Sequence, residues 1–456
     1  MKTIRIGNGQ AFWGDSAKAP LDQVRYGDLD YLMLDYLAEV TMSIMQKLRA
    51  RDPQQGYARD FVTLIENLLP DMLERGVKVV ANAGGVNPLA CAEAVLAVAE
   101  KFGVADQVKI GVVTGDDIMA DVDDILAAGQ PMNNLESGAP LTDVRDRLAS
   151  ANAYFGAFPI AEALGQGANI VITGRCTDAS LAVGPMIHEF GWSETDWDKL
   201  SAATIAGHII ECGAQATGGN CMADWDQVED MVNIGYPIAE VSEDASFVVT
   251  KPEQMGGRVN VASVTEQLLY EIGDPEDYRT ADVICDFTSI QLEQLGPNRV
   301  QVSGITGKPA PDQFKVSMSY AGGYKTVGTL VYGWPDAVKK AQAADRIVRK
   351  RLDNLGVTFD AMHTEILGAN ACHGQSLSGE PDADLAEVQL RIGVRGQDKQ
   401  SLTRFTHEIA PLVCNGPPTV TGYFGGRSRV EEIIAYWPAL LDKAYASATV
   451  TLLGAH

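Results

Sequence analysis

The chain has 456 residues, 46% of them hydrophobic and 21% charged, with a formal net charge of −24. That length supports a large core and two or three domains. The acidic balance excludes a nucleic-acid backbone as partner, because such binding relies on a basic footprint; a small anion held by a few local Arg or Lys groups remains compatible with it.

From the amino end, short apolar runs alternate with amphipathic stretches. Thr3–Ile6, Tyr31–Leu34, Val77–Val80, Val108–Val113 and Asn169–Ile172 read as strands. Between them, Phe61–Arg75, Pro88–Phe102 and Ala151–Gln166 read as helices. This alternation predicts an α/β domain over residues 1–235, with a doubly wound, mostly parallel sheet covered on both faces. Each run is followed by a polar or glycine-rich turn: Gly7-Asn8-Gly9, Asp35, Asn82-Ala83-Gly84-Gly85, Thr114-Gly115-Asp116-Asp117 and Thr173-Gly174-Arg175. Ligands of open α/β sheets bind beyond the carboxyl ends of the strands. Any one turn is explained by turn chemistry alone, but the five together predict a shared crevice.

From Tyr236 the texture changes. Phe247–Lys251, Arg258–Val264, Val283–Phe287 and Arg299–Val302 are β-prone, and Phe314–Tyr320 with Lys325–Tyr332 reads as a hairpin. An amphipathic helix over Asp336–Leu355 follows, then strands at His363–Leu367 and Ala386–Val394, a helix over Ser401–Val413, and a last strand at Ala448–Leu453. Residues 236–456 therefore read as an α+β domain, β-rich at first and then βαββαβ-like.

The densest chemistry lies between Asn169 and Asn220. On a helix over Ser201–Gln215, residues Ala202, Ile205, Ala206, Ile209 and Gly213 share one side; Thr204, His208, Glu211, Cys212 and Gln215 share the other. A single carboxylate is too few for a solvated face, so that side is expected to line a polar cavity. His208 and Glu211, three apart, can pair for proton transfer. The loop Thr217-Gly218-Gly219-Asn220 adds backbone and side chains suited to close ligand approach. Just past the Val171–Ile172 run, Arg175 offers a fork for a carboxylate or phosphate and Asp178 a base, though the two also suit a turn ion pair and a helix cap. Asp35 and Glu39 suit acid/base work or a divalent cation such as Mg²⁺, and equally the stabilisation of a helix start. Asn82, Gly84 and Gly85 could present an anion site at the start of the Pro88 helix or form a plain tight turn. Lys251 is a candidate phosphate contact, against its reading as an ordinary surface lysine. The expected substrate-binding set is thus Arg175, Asn82, Gly84, Gly85, Gln215, Thr217, Gly218, Asn220 and Lys251, around His208, Glu211, Asp178 and Asp35.

Other chemistries lack their signatures. Gly7-Asn8-Gly9…Gly14 does not match G-x-G-x-x-G, and no P-loop, H-E-x-x-H or G-x-S-x-G motif occurs. The seven cysteines, at 91, 176, 212, 221, 285, 372 and 414, form no Cys-x-x-Cys pair, and His373 and His407 read as structural. No certain cofactor is implied. With no apolar leader and no run long enough to cross a bilayer, the expectation is a cytoplasmic protein with reduced thiols and no membrane contact.

Long phrases such as RIGNGQAFWGD, GDLDYLMLDYLAEVTM, ANAGGVNPLA, ANAYFGAFPIAEALGQGANIVITGRCTDASLAVGPMIHEFGW, AGHIIECGAQATGGN and VTEQLLYEIGDP resemble the acyclic terpene utilisation (AtuA) family. The resemblance runs from Arg5 to about Trp334 and on toward the end. It implies a role in the catabolism of acyclic terpenes, branched acids and related acyl-CoA intermediates. Some relatives carry an added ferredoxin-like C-terminal domain, and others occur beside a small separate protein of that type. This chain is expected to be too short for the added domain, which makes a small ferredoxin-like subunit a candidate partner, alongside homo-oligomerisation.

Three functions compete. The first is a lyase, of hydratase/dehydratase or carbon–carbon type, acting on a hydroxy acid or hydroxyacyl-CoA through a base, an acid and an anion clamp. The second is a non-catalytic binding or scaffold subunit of a catabolic complex. The third, a nicotinamide-dependent reductase, lacks the dinucleotide fingerprint.

Overall fold

A computed structural model of the chain describes residues 2–38, 41–369, 371–374, 385–422 and 428–455. Two compact units emerge, one of Met1–Ser319 with Tyr436–His456 and one of Tyr320–Ala435. The division does not fall at the expected residue 235, because strands on both sides of that point join one sheet.

That sheet has ten strands: β1 (Thr3–Gln10), β2 (Tyr31–Leu34), β3 (Lys78–Ala81), β4 (Lys109–Thr114), β5 (Ile170–Thr173), β6 (Ile238–Ser242), β7 (Phe247–Thr250), β8 (Gln291–Gly296), β9 (Arg299–Ser303) and β10 (Thr449–Gly454), in the order β8-β9-β7-β6-β1-β2-β3-β5-β4-β10. The middle, β1 to β4, is parallel. Strands β6 to β9 extend it antiparallel on one edge, and β10 does so on the other. The architecture is mixed α/β, with a parallel centre inside a mixed sheet.

The central strands are short and buried on both faces, so they read as unbroken apolar runs. Val80 and Val171 face a core that includes the Phe158–Gly165, Ser180–Phe190 and Trp197–Glu211 helices. Val79, Ile170 and Ile172 face the opposite core, filled from the Arg59–Arg75 and Pro88–Phe102 helices. The Arg59–Arg75 helix buries Phe61, Leu64, Ile65, Leu68, Leu69 and Met72, the spacing of a single apolar stripe. Each such side chain contributes about 1.5–3 kcal/mol when fully buried. Gly76, at φ +70°, ends that helix and returns its N–H to the Met72 and Leu73 carbonyls.

Several expected elements differ. Ala151–Gln166 is not one helix: Leu148–Ala153 is a strand that pairs with Gln313–Gly333, and the helix begins only at Phe158, with proline in its first turn. Tertiary pairing outweighs the helical propensity of its alanines. Arg258–Val264 is not a strand but leads into the Val261–Leu268 helix, because Asn260 and Ser263 form a reciprocal capping box. The expected hairpin is one strand, Gln313–Gly333, which pairs with other segments and not with itself. The helix expected over Ser201–Gln215 starts at Trp197, ends at Glu211 and passes into a short 3-10 turn at Gly213–Thr217.

In the second unit the order is strand, Ala337–Asn354 helix, strand, strand, Lys399–Ile409 helix, strand. Glu387–Gly396 lies between Ala361–Leu367 and the 324–333 segment, which in turn borders Val420–Thr421, all antiparallel. This is the pairing of a split βαβ unit. Leu330, Tyr332, Val348, Leu390, Ile392, Leu402 and Phe405 form its core. Among the described residues, no helix is long and apolar enough to cross a membrane.

Candidate active site

The turns after β1 to β5 are tied together by hydrogen bonds. Asp35 N–H donates to the Gln10 carbonyl, Gly84 N–H to Thr173 and Gly174 N–H to Val113. Asn82, fully buried, donates through Nδ2 to Asp35 Oδ1 at 2.7 Å and accepts Tyr36 N–H at 2.7 Å. The parallel centre thus brings the ends of its five strands together; Gly7-Asn8-Gly9, expected as one of the turns, is instead part of β1, which runs on to Gln10 because Gly7 and Asn8 pair with Leu32 and Met33.

Arg175 lies at the middle of this end. Its backbone N–H donates to Asp116 Oδ2 at 2.8 Å, and Asn152 Nδ2 donates to the same oxygen at 2.9 Å. The guanidinium donates to the Leu37 carbonyl and, at 2.5 Å, to Asp178 Oδ1, and it stacks 4.1 Å from the centre of the Tyr154 ring. The Arg175 side chain is 2% exposed and that of Asp178 38%. Arg175 is therefore an internal counter-ion, and Asp178 is the member of the pair that solvent reaches. Burial opposes the guanidinium charge, but Asp178, Tyr154 and Asp35 together hold its pKa above the ordinary value. Nε of Arg175 is buried without a hydrogen-bond partner.

Burial has the reverse effect on the acids. Asp35 is raised well above the carboxylate range by burial and then by Asp178, against Arg175 and the bonds from Asn82 and Leu37. Asp116 is pushed up to about 7 by burial, despite its two donors. Both groups can carry a proton near neutrality.

His208 and Glu211 stand at the end of the Trp197–Glu211 helix, His208 Nδ1 lying 3.0 Å from Glu211 Oε1. Burial pushes Glu211 up to about 7, with His208 pulling it down and Asp178 pushing it up. Burial works against a charged His208, yet the bond and charge of Glu211 outweigh it, so the imidazole pKa is raised. The ring is packed by Tyr278 and Phe287 at centroid distances of 6.0 and 5.9 Å, and backbone hydrogen bonds at Leu268 and Gln267 also favour its charged form. The polar side of this helix is therefore enclosed, not solvated. Asp178 is the leading charge acting on Arg175, and it acts on Glu211 after burial and His208.

The other expected residues divide. Gly84 and Gly85 direct their N–H groups to the Thr173 and Asn82 carbonyls, so the tight turn, not an open anion site, is what forms. Thr217 is buried, with its hydroxyl on the Ala214 and Gly235 carbonyls. Gln215 is partly buried, Gly218 adopts φ +103° and Asn220 is exposed at φ +51°. Lys251 is not brought to this cluster: its ammonium donates to the Pro252 and Met255 carbonyls and lines a separate cavity with Arg5, Glu240 and Arg299. Glu39 lies outside the described residues. Among the described residues no three His, Cys, Asp or Glu groups converge on a point where an ion could sit. Cys176 is buried and its thiol pushed up to about 12, which removes it as a nucleophile near neutrality.

Three contributors were not nominated from sequence: Asp116, Asn152 and Tyr154. Asp116 belongs to one of the five turns, so its position was readable; its depth was not. Next to Tyr154, a cavity of about 110 Å³ is lined by Thr177, Arg279, Gln313 and Lys315, with Lys315 Nζ 4.9 Å from the Tyr154 ring centre.

A family model described as acyclic terpene utilisation family protein AtuA matches residues 4–452. The chain belongs to the AtuA family. The match covers both compact units, and with them the β1–β5 turns, Arg175, His208 and Glu211. No curated protein and no solved structure matches the chain.

Proposed function

We propose that the cluster around Asp178 is an acid/base active site, and that the chain is a lyase of branched-chain or terpenoid acid breakdown. The reaction would be a hydration/dehydration or carbon–carbon cleavage on a hydroxy acid or hydroxyacyl-CoA. One observation carries the reading: Glu211, at about 7 and bonded to His208, lies within electrostatic reach of the solvent-accessible Asp178. A carboxyl poised near neutrality can both give and take a proton, which elimination and addition of water require. Family membership supports the metabolic setting.

The roles follow from exposure. Asp178 meets the substrate, and Glu211 with His208 supplies or accepts the second proton. Arg175 lies beneath two carboxylates, so it positions Asp178 and does not grip the substrate. The substrate anion is assigned to the cavity beside Tyr154, lined by Lys315 and by Arg279, whose charge is shared with Asp277.

The test is deuterium exchange and turnover with a panel of hydroxyacyl-CoAs and their free acids. Glu211→Gln should slow turnover by about 10²–10⁴-fold with little change in melting temperature. Unchanged turnover removes the assignment. A second reading, a non-catalytic binding subunit, is favoured by the 2% exposure of both the Arg175 and His208 side chains. It predicts binding of the same ligands with no exchange or turnover in any of them.

A further inference from the structure

We infer that a second cavity, walled by the segment that follows Tyr154, binds a small apolar aldehyde or ketone that condenses with the amine of Lys443. The cavity measures about 390 Å³ and is lined by Phe155, Phe158, Pro159, Phe314, Asp282 and Lys443 among others. That size and its mainly apolar wall with a few convergent polar groups are those of a small-molecule site.

Among the described residues, Lys443 is the only amine in this wall. Its Nζ donates to the Ala281 carbonyl at 2.7 Å and lies 5.4 Å from the centre of the Phe314 ring. It makes no ion pair among the described residues, although Asp282, Asp312 and Glu194 act on it from farther off. Burial lowers its pKa against those carboxylates, which increases the share of free amine, the form that attacks carbonyl carbon.

Asp282 is seated beside it. Its Oδ2 accepts the Ala157 N–H at 2.7 Å, and its carboxyl rests so close to the main chain that a Cβ at Gly156 would lie 2.0 Å from Oδ1. Burial pushes this acid up to about 6, so it exchanges protons under mild conditions. With Asp282 and Glu194 against one lysine in the lining, the cavity does not favour an anion. A neutral carbonyl compound fits the charge.

The step balances without a further reactant. The Lys443 nitrogen bonds to the carbonyl carbon, and the oxygen takes a proton from Asp282. The carbinolamine then loses water as nitrogen returns a proton to the Asp282 carboxylate, leaving a neutral imine.

The full chain is incubated with 3-methylbutanal and cyanoborohydride, and modified lysines are located by peptide mass spectrometry. Lys443 should be labelled several-fold faster than Lys339, whose side chain is 73% exposed, because burial increases its share of free amine. Ala310→Trp, which fills the cavity, should bring Lys443 down to the Lys339 rate, and excess 3-methylbutan-2-one should do the same in the unaltered chain if that variant fails to fold. His208→Phe should leave the labelling unchanged, which separates this site from the lyase reading. Labelling of Lys443 no faster than Lys339, or insensitive to both blocks, overturns the proposal.

Discussion

Asp116 accepts the backbone N–H of Arg175, so an acid at the end of one strand fixes the loop that follows its neighbour. A Cβ at Gly174 would lie 2.1 Å from Asp116 Oδ1. The guanidinium below Asp178 thus depends on a contact that only glycine at 174 permits.

Gly174→Ala should therefore destabilise the fold by about 1–3 kcal/mol, as an overpacked core does. Chemical denaturation measures it. Combined with Asp116→Ala, the loss should be less than the sum of the two single changes, because the clash is gone. Strict additivity would show that the contact is not the cause.

The Asp116 carboxyl, ordinarily at 3.8, is raised to about 7 in the folded chain. The folded state thus binds the proton more tightly than the unfolded state. The stabilisation this gives is complete below the ordinary value and is lost as pH rises through about 7. Asp116→Asn removes this loss. Its stability relative to the unaltered chain should rise between about pH 4 and about pH 7 and level off above that, as urea midpoints would show. A flat difference contradicts the assignment.

Removing the buried cation should cost more. Arg175→Met leaves Asp35 and Asp178 without their counter-ion, a loss of about 3–5 kcal/mol. Arg175→Lys should recover little of it, since an ammonium cannot reproduce the bonds to Leu37 and Asp178 together with the stacking on Tyr154. Equal stability of the lysine variant would mean that charge alone matters there.

The His208–Glu211 pair separates structure from chemistry. His208→Phe suits the pocket formed by Tyr278 and Phe287 but leaves a buried carboxyl unpaired, at a cost of about 1–3 kcal/mol. Adding Glu211→Leu should restore stability while turnover stays low. Turnover that recovers with stability would make the pair purely structural.

Local pattern made some of this legible. Tyr31–Leu34 and Pro88–Phe102 are where the sequence places them, because a buried parallel strand is an unbroken apolar run and Gly103 stops the helix. The failures are long-range. Ala-rich Leu148–Ala153 becomes a strand only because Gln313–Gly333 pairs with it, and the valines around 260 yield to the Asn260 cap. At the candidate site, Arg175, Asp178, His208 and Glu211 were nominated by residue type and spacing, and the structure pairs Arg175 with Asp178 and His208 with Glu211. Asn152 sat inside an expected helix, and the acidity of Asp116 comes from depth, which no local pattern carries.

The outer neighbour of β4 comes from the far end of the sequence: Thr114 and Thr449, 335 positions apart, lie side by side. At ribosomal speeds of roughly 5–20 residues per second, that partner follows β4 by about 20–70 seconds. Throughout that interval the nascent chain presents an uncapped β edge, the kind that recruits other chains.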